Sequence, residues 1–142
     1  MLKIIKIIAL FVIMGNLAAC ASDSVTPVAS ADATVVVGEY SGQYTGAIPS
    51  GNATIKISSP SKGEIKIEFK DLAGGLEFNG IVGGTNNNIV PISVVAQKVG
   101  IYNISPKNAT NPTGTYNTTT KDLILEINIL GLGDVKFTGR KK

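Results

Sequence analysis

Apolar residues recur at every second position along most of the chain beyond its N-terminal region. Between positions 64 and 70, Ile65, Ile67 and Phe69 alternate with charged residues, and positions 122–129 repeat the pattern. A period of two predicts β-strands with one face buried and the other in solvent. None of these segments shows the period of 3.6 residues that an amphipathic helix requires.

Clusters of glycine, proline, asparagine and serine separate the apolar runs. They favour turns, because glycine and asparagine tolerate positive φ and proline interrupts a hydrogen-bonded ladder. About eight or nine short strands lie between the clusters, joined largely as hairpins. We therefore expect an all-β domain, either a small antiparallel up-and-down barrel of about eight strands or a barrel-like sandwich. The clusters occupy positions 49–52, 59–63, 73–75, 83–88, 105–114, 118–122 and 130–134.

The first predicted strand alternates tyrosine with glycine on one face. Tyr40 and Tyr44 share this face with Gly42 and Gly46. Glycine removes side-chain bulk and permits the sharp coiling that closes a small barrel. We interpret the two tyrosines as interior side chains. The alternative is a tyrosine platform for a sugar or an apolar ligand.

The N-terminal region has a different pattern. Lys3 and Lys6 precede an apolar run at positions 7–14, and small residues lead up to Cys20. This order is typical of a secretory signal. The run is much shorter than the roughly 20 residues that cross a bilayer as a helix, so a permanent transmembrane anchor is not expected.

The tetrapeptide Leu17-Ala18-Ala19-Cys20 resembles the lipobox of bacterial lipoproteins. The resemblance implies cleavage between Ala19 and Cys20, a diacylglyceryl group on the Cys20 sulfur and an acyl chain on the new amino terminus. Two or three chains anchor a protein stably in a membrane. We accordingly divide the chain into a lipoprotein signal peptide (1–19), a lipidated cysteine with a flexible tether (20–33) and a β-barrel domain (34–142).

The tether carries two further resemblances. It has no acidic residue directly after Cys20, and by similarity to the sorting rule of enterobacterial lipoproteins this implies the outer membrane, with the domain facing the periplasm or the cell surface. Asp23-Ser24-Val25 resembles the short O-glycosylation motif of Bacteroidetes, which implies Ser24 as an acceptor.

The amino-acid composition excludes several kinds of active site and metal site. Cys20 is the only cysteine, and the chain has no histidine or tryptophan, so a disulfide framework, thiolate metal ligation and a Ser-His-Asp relay are excluded. Without Lys3 and Lys6, eleven of the 13 basic residues remain against 10 acidic ones, with no basic stripe for nucleic acid. We expect a non-enzymatic protein with no catalytic residues, no metal site and no cofactor besides the covalent lipid.

Both ends of the domain resemble calycins, the class that includes lipocalins and fatty-acid-binding proteins. The sequences GEYSGQYTG from position 38 and VKFTGRK from position 135 are also similar to the calycin-like barrel domains of Bacteroidetes lipoproteins. Tyr40 stands in place of the tryptophan on the first calycin strand. Arg140 stands where calycins often have a basic residue packing across that ring. The resemblance implies that Arg140 packs across the Tyr40 ring. With Tyr44, which the alternation along the first strand places on the same face as Tyr40, these residues are our candidates for the interior or a ligand face.

The asparagine-rich loops suggest where recognition could occur, because loops on a rigid barrel often carry function. Positions 84–88 and 103–120 hold many amide and hydroxyl groups, with Tyr102 and Tyr116 as candidate recognition residues. We expect a lipid-anchored envelope protein that binds a small apolar molecule or an envelope glycan. The alternative is a structural or inhibitory component that docks on a protein partner through its sheet surface. An interior cavity would favour the first and a filled barrel with an exposed apolar patch the second.

Overall fold

The computed structural model describes residues 32–142, and strands dominate this part of the chain. The predicted all-β class is confirmed. Two short 3₁₀ turns, Ala33–Val36 and Lys107–Ala109, accompany the strands. The strands are β1 (Gly38–Gly46), β2 (Gly51–Ser61), β3 (Glu64–Phe69), β4 (Leu76–Val82), β5 (Ile89–Val94), β6 (Gln97–Val99), β7 (Tyr102–Pro106), β8 (Gly114–Asn117), β9 (Asp122–Ile129) and β10 (Gly133–Lys141).

The strands form a closed antiparallel barrel of eight strands. From β1 to β5 each strand pairs with the next in sequence. The last strand then returns to the first, with β1 and β10 paired from Tyr40 opposite Lys141 to Gly46 opposite Val135. The up-and-down barrel expected from the sequence is therefore the observed architecture, and the sandwich is not.

The ten strands fill only eight places around the barrel, because two of these places are each occupied by two consecutive strands. β5 pairs with β8 and β6 pairs with β7, so β5 with β6 and β7 with β8 behave as two long strands of one hairpin. Residues 107–113 leave the second of these strands and return to it. Pro106 lies opposite Ile127 of β9 before this excursion, and Gly114 lies opposite Leu125 after it.

A side-chain amide bridges the break between β5 and β6. The Gln97 Oε1 accepts a hydrogen bond from the Asn79 N–H at 3.0 Å, and its Nε2 donates to the carbonyls of Asn79 at 3.0 Å and Val95 at 2.7 Å. A primary amide offers the same donor and acceptor types as a peptide group. Gln97 thus joins β6 to β4, between which no backbone ladder forms within residues 32–142.

Alternate side chains of the barrel strands point inward, as the period of two predicted. The charged face of β3 points outward, where the Lys66 Nζ lies 2.8 Å from the Glu77 Oε1. Aromatic side chains contact one another inside, with ring centroids 5.9 Å apart for Phe69 and Phe78. The fully buried large side chains include Tyr40, Ile55, Ile57, Ile65, Ile67, Phe69, Leu76, Phe78, Ile92, Ile104, Tyr116 and Phe137.

We predict that Gly42→Ala destabilises the barrel by weakening the junction of its first and last strands. A Cβ at position 42 would clash with the Thr138 carbonyl and the Gly139 Cα of β10. Backbone cannot move aside as a flexible side chain can, so we expect a loss of about 1–3 kcal/mol in the free energy of unfolding. Urea unfolding measures it. Thr45→Ala, on the exposed face of the same strand, is the control, and equal losses in both variants would contradict this account of closure.

Candidate functional site

Tyr40 is one of two tyrosines that pack against each other inside the barrel. Its side chain is fully buried, and its hydroxyl donates a hydrogen bond to the Val36 carbonyl at 2.6 Å. The Tyr116 ring packs edge-on against it, with centroids 5.8 Å apart and an interplanar angle of 87°. Tyr116 is on β8 and is buried, so it is an interior residue and not the loop recognition residue expected from the sequence.

The 3₁₀ turn Ala33–Val36 covers the barrel end next to Tyr40. The Asp32 carboxylate caps it by accepting a hydrogen bond from the Thr34 N–H at 2.9 Å. Ala33 and Val36 are buried. Ala33 therefore belongs to the folded body, although the sequence assigned it to the tether. The hydrogen bond from Tyr40 to Val36 ties this cover to the first strand.

Lys141 approaches the tyrosine pair from the last strand. Its Nζ lies 5.8 Å from the centroid of the Tyr116 ring and 3.4 Å from the Val35 carbonyl oxygen. Arg140 points to the outer surface instead, where its Nε lies 2.9 Å from the Asp122 Oδ1. This corrects the expected interior placement of Arg140. Val135 and Phe137 face inward, so alternation along β10 turns Lys141 inward and Arg140 outward.

The barrel interior is filled by its own side chains. Tyr40, Phe69 and Phe137 are 0% exposed, and the buried isoleucines and leucines around them are at most 4% exposed. A side chain with no exposure has no space beside it for even a water molecule. An interior ligand would therefore have to displace these side chains, as is usual for a barrel of eight strands with well-packed residues.

The core is less completely covered at the other end of the barrel. Five apolar side chains that pack against the core are only partly buried, and all lie in or next to the turns of that end: Tyr44, Ile48, Val99, Tyr102 and Leu132. Tyr44 and Tyr102, both candidates from the sequence, thus border the core without entering it fully. Tyr102 is on β7, beside the tip of the hairpin formed by β6 and β7.

We name this end of the barrel the apolar end and define it by the turn tips 47–50, 72–75, 100–101 and 130–132. No tip contains a charged residue, and Ser50 is the only residue with a polar side chain. Ile101 is 84% exposed and Leu130 is 65% exposed. Hydrogen bonds join two of these turns to the ends of neighbouring strands, from the Ala47 N–H to the Asp134 carbonyl and from the Leu130 N–H to the Asn103 carbonyl, both at 2.9 Å.

The opposite end, which we name the polar end, is formed by the turns 62–63, 83–88 and 118–121 and by the 3₁₀ turn Ala33–Val36. Two of these turns are joined, because the Thr118 N–H donates a hydrogen bond to the Asn88 carbonyl at 2.8 Å. Within the turn 118–121, the Asn117 Oδ1 accepts hydrogen bonds from the N–H groups of Thr119 at 2.8 Å and Thr120 at 3.0 Å. Amide and hydroxyl groups from two loops therefore form one surface.

The Glu39 carboxylate lies at the surface, in contact with two lysine side chains. Glu39 lies 2.7 Å from the Lys142 Nζ, and this contact holds the pKa of its carboxyl below the usual range. Within residues 32–142, no group of three acidic, histidine or cysteine side chains is arranged to hold a metal ion. In the same range no helix is both long and apolar enough to span a bilayer.

The lipobox residues Leu17, Ala18, Ala19 and Cys20 lie outside the described residues, as does Ser24. No family model, no curated protein and no solved structure matches the chain. Its function is therefore inferred from its own residues.

We predict that Tyr40→Phe loosens the cover of the polar end. The change removes one hydroxyl and leaves the Val36 carbonyl without its donor, which costs about 1–3 kcal/mol when the remaining group is buried. Chemical denaturation measures the loss. Tyr44→Phe is the matched control, with an expected change of about 0.5 kcal/mol or less because its ring is only partly buried. A loss no greater for Tyr40→Phe than for Tyr44→Phe would contradict a stabilising role for the hydrogen bond from Tyr40 to Val36.

We also predict that the barrel loses stability in alkaline solution. Burial raises the pKa of Tyr40 and of Tyr116 above the usual 10.0. Above about pH 10 the unfolded chain releases these protons while the folded chain keeps them, so the free energy of unfolding decreases as the pH rises. The double variant Tyr40→Phe/Tyr116→Phe should show a shallower decrease. Parallel slopes for the two proteins between about pH 9 and 11 would contradict the prediction.

Proposed function

We propose that this chain is an exported lipoprotein of the cell envelope, in which acylated Cys20 holds a calycin-like barrel at a membrane and the barrel acts through its outer surface. The lipobox-like sequence that follows a signal-like segment supports the anchor. The buried tyrosine on the first strand, with a lysine of the last strand against the tyrosine pair, supports the calycin-like assignment.

We infer that the barrel acts through its outer surface because its interior is filled by side chains. Small-ligand sites usually occupy cavities of about 300 Å³ or more, whereas the buried apolar side chains of the barrel are at most 4% exposed. The unusual surface is the apolar end, where Ile101 and Leu130 are exposed next to a partly covered core. A structural envelope component that contacts its surroundings through this surface agrees better with the geometry than a protein that encloses an apolar molecule.

Glycan binding is a second candidate function, and a different surface favours it. At the polar end, the hydrogen bond between Thr118 and Asn88 brings two loops of amide and hydroxyl side chains together. Such groups can donate to and accept from sugar hydroxyls. Replacing Asn87 and Thr119, both exposed on these loops, by alanine would abolish glycan binding without affecting the apolar end.

Native mass spectrometry of the protein purified from envelopes tests the main proposal. We expect the mass of a chain that begins at Cys20 and carries diacylglyceryl and acyl groups, with no retained small molecule. A chain that keeps its first 19 residues, or lacks acyl mass, would overturn the anchor. A retained apolar compound would overturn surface action while leaving the anchor intact.

We predict that Cys20→Ser releases the protein from membranes without weakening the barrel. The substitution removes the thioether, and a remaining single chain would bind only marginally. Membrane fractionation measures release, and denaturant unfolding should give the wild-type free energy. Ser24→Ala, four residues along, is the control and should stay with the membranes. Cofractionation of Cys20→Ser to the wild-type extent would contradict a role for the lipid.

A further inference from the structure

The two ends of the barrel differ in the groups they present to their surroundings. The turn tips of the apolar end carry no charge, while lysine, threonine and asparagine fill the turns of the polar end. Lys70 and Asp71, which begin the turn leading to 72–75, are held back against the barrel wall. The Lys70 Nζ lies 3.5 Å from the Glu39 Oε2, and the Asp71 Oδ2 accepts from the Thr54 N–H at 2.8 Å.

We propose that the apolar end inserts shallowly into the hydrocarbon boundary of a lipid bilayer, with Ile101 and Leu130 as the inserted side chains. This rests on the proposed membrane location of the protein. An end whose tips carry no charge can enter a bilayer without dehydrating an ion, which is a large cost for charged groups.

The shape of the apolar end favours a bilayer over a protein surface. Ile101 and Leu130 lie on separate turns, and their exposures of 84% and 65% are the two largest among the big apolar side chains within residues 32–142. A fluid bilayer can surround separate protrusions, whereas a protein partner would need matching hollows. Partly buried Tyr102 stands beside these tips, and tyrosine is favoured at the boundary between hydrocarbon and water.

The length of the N-terminal chain allows the anchor and the apolar end to engage the same bilayer. Twelve peptide steps join Cys20 to Asp32, and at about 3.5 Å per residue they span at most about 42 Å. The 9 residues of β10, which run from one end of the barrel to the other, extend about 30 Å at about 3.3 Å per residue. The chain is therefore long enough to return along the barrel wall to the membrane.

Tryptophan fluorescence tests the inserted position, because the natural chain contains no tryptophan. Ile101→Trp in the complete lipidated protein, reconstituted in phosphatidylcholine vesicles, should emit at shorter wavelength than in detergent-free buffer. It should lose most of its emission when the acyl chains are brominated. Thr119→Trp at the polar end is the matched control and should show neither effect.

Other outcomes would overturn the proposal. Equal emission wavelengths from Ile101→Trp with and without vesicles would contradict membrane insertion. A shift that depends on protein concentration in the absence of lipid would indicate that a second copy of the protein covers the apolar end. Quenching that requires anionic lipid, or that is lost at high salt, would indicate electrostatic binding instead. A blue shift that appears only with a copurified protein would indicate a protein partner.

A second variant and a mass measurement separate this proposal from that of the anchor. Leu130→Ser should reduce the quenching of Ile101→Trp while leaving urea unfolding unchanged, because Leu130 is largely exposed. The acyl mass of the same preparation shows whether the anchor is present. Quenching in a preparation without acyl mass would support insertion and overturn the anchor. An acylated preparation without quenching would support the anchor and overturn insertion.

Discussion

The barrel depends on the hydrogen-bonded junction between its first and last strands. β1 and β10 pair along their length, and Gly42 allows the backbones to approach because its position has no Cβ. This junction turns an open meander into a closed sheet, which has no free edge there for another chain to join. It also places Lys141 opposite Tyr40, so the cover of the polar end is assembled from both ends of the described chain.

Closure also sets the character of the interior. A barrel of eight strands is narrow, and here aromatic and branched aliphatic side chains fill it from the tyrosine pair to the partly covered residues of the apolar end. Because the interior is occupied, the features that distinguish this molecule lie at its two ends. One end offers amide and hydroxyl groups and the other offers aliphatic side chains without charge, so the barrel has a polarity along its axis.

Much of the fold could be predicted from the sequence, because alternation is clear wherever strands are long. Ile65, Ile67 and Phe69 face inward as their spacing indicates. The placement of Tyr116 could not be predicted in this way, since β8 has only 4 residues and its flanking asparagine, proline and threonine residues resemble a loop. For Arg140 the alternation of Val135 and Phe137 already indicated the outer face, and only the resemblance to calycins suggested otherwise. The apolar end depends on which turns meet, and that becomes known once the strand order is known.

The excursion at residues 107–113 has a consequence for engineering this barrel. Both of its ends are fixed on β9, by Pro106 opposite Ile127 and by Gly114 opposite Leu125. Residues added at positions 108–110, which are exposed, would lengthen a surface loop and leave the register of every ladder as it is, since loop length affects closure entropy only weakly. The stretch is thus a natural insertion point at which a foreign epitope or a reporter peptide can be displayed on the side of the barrel.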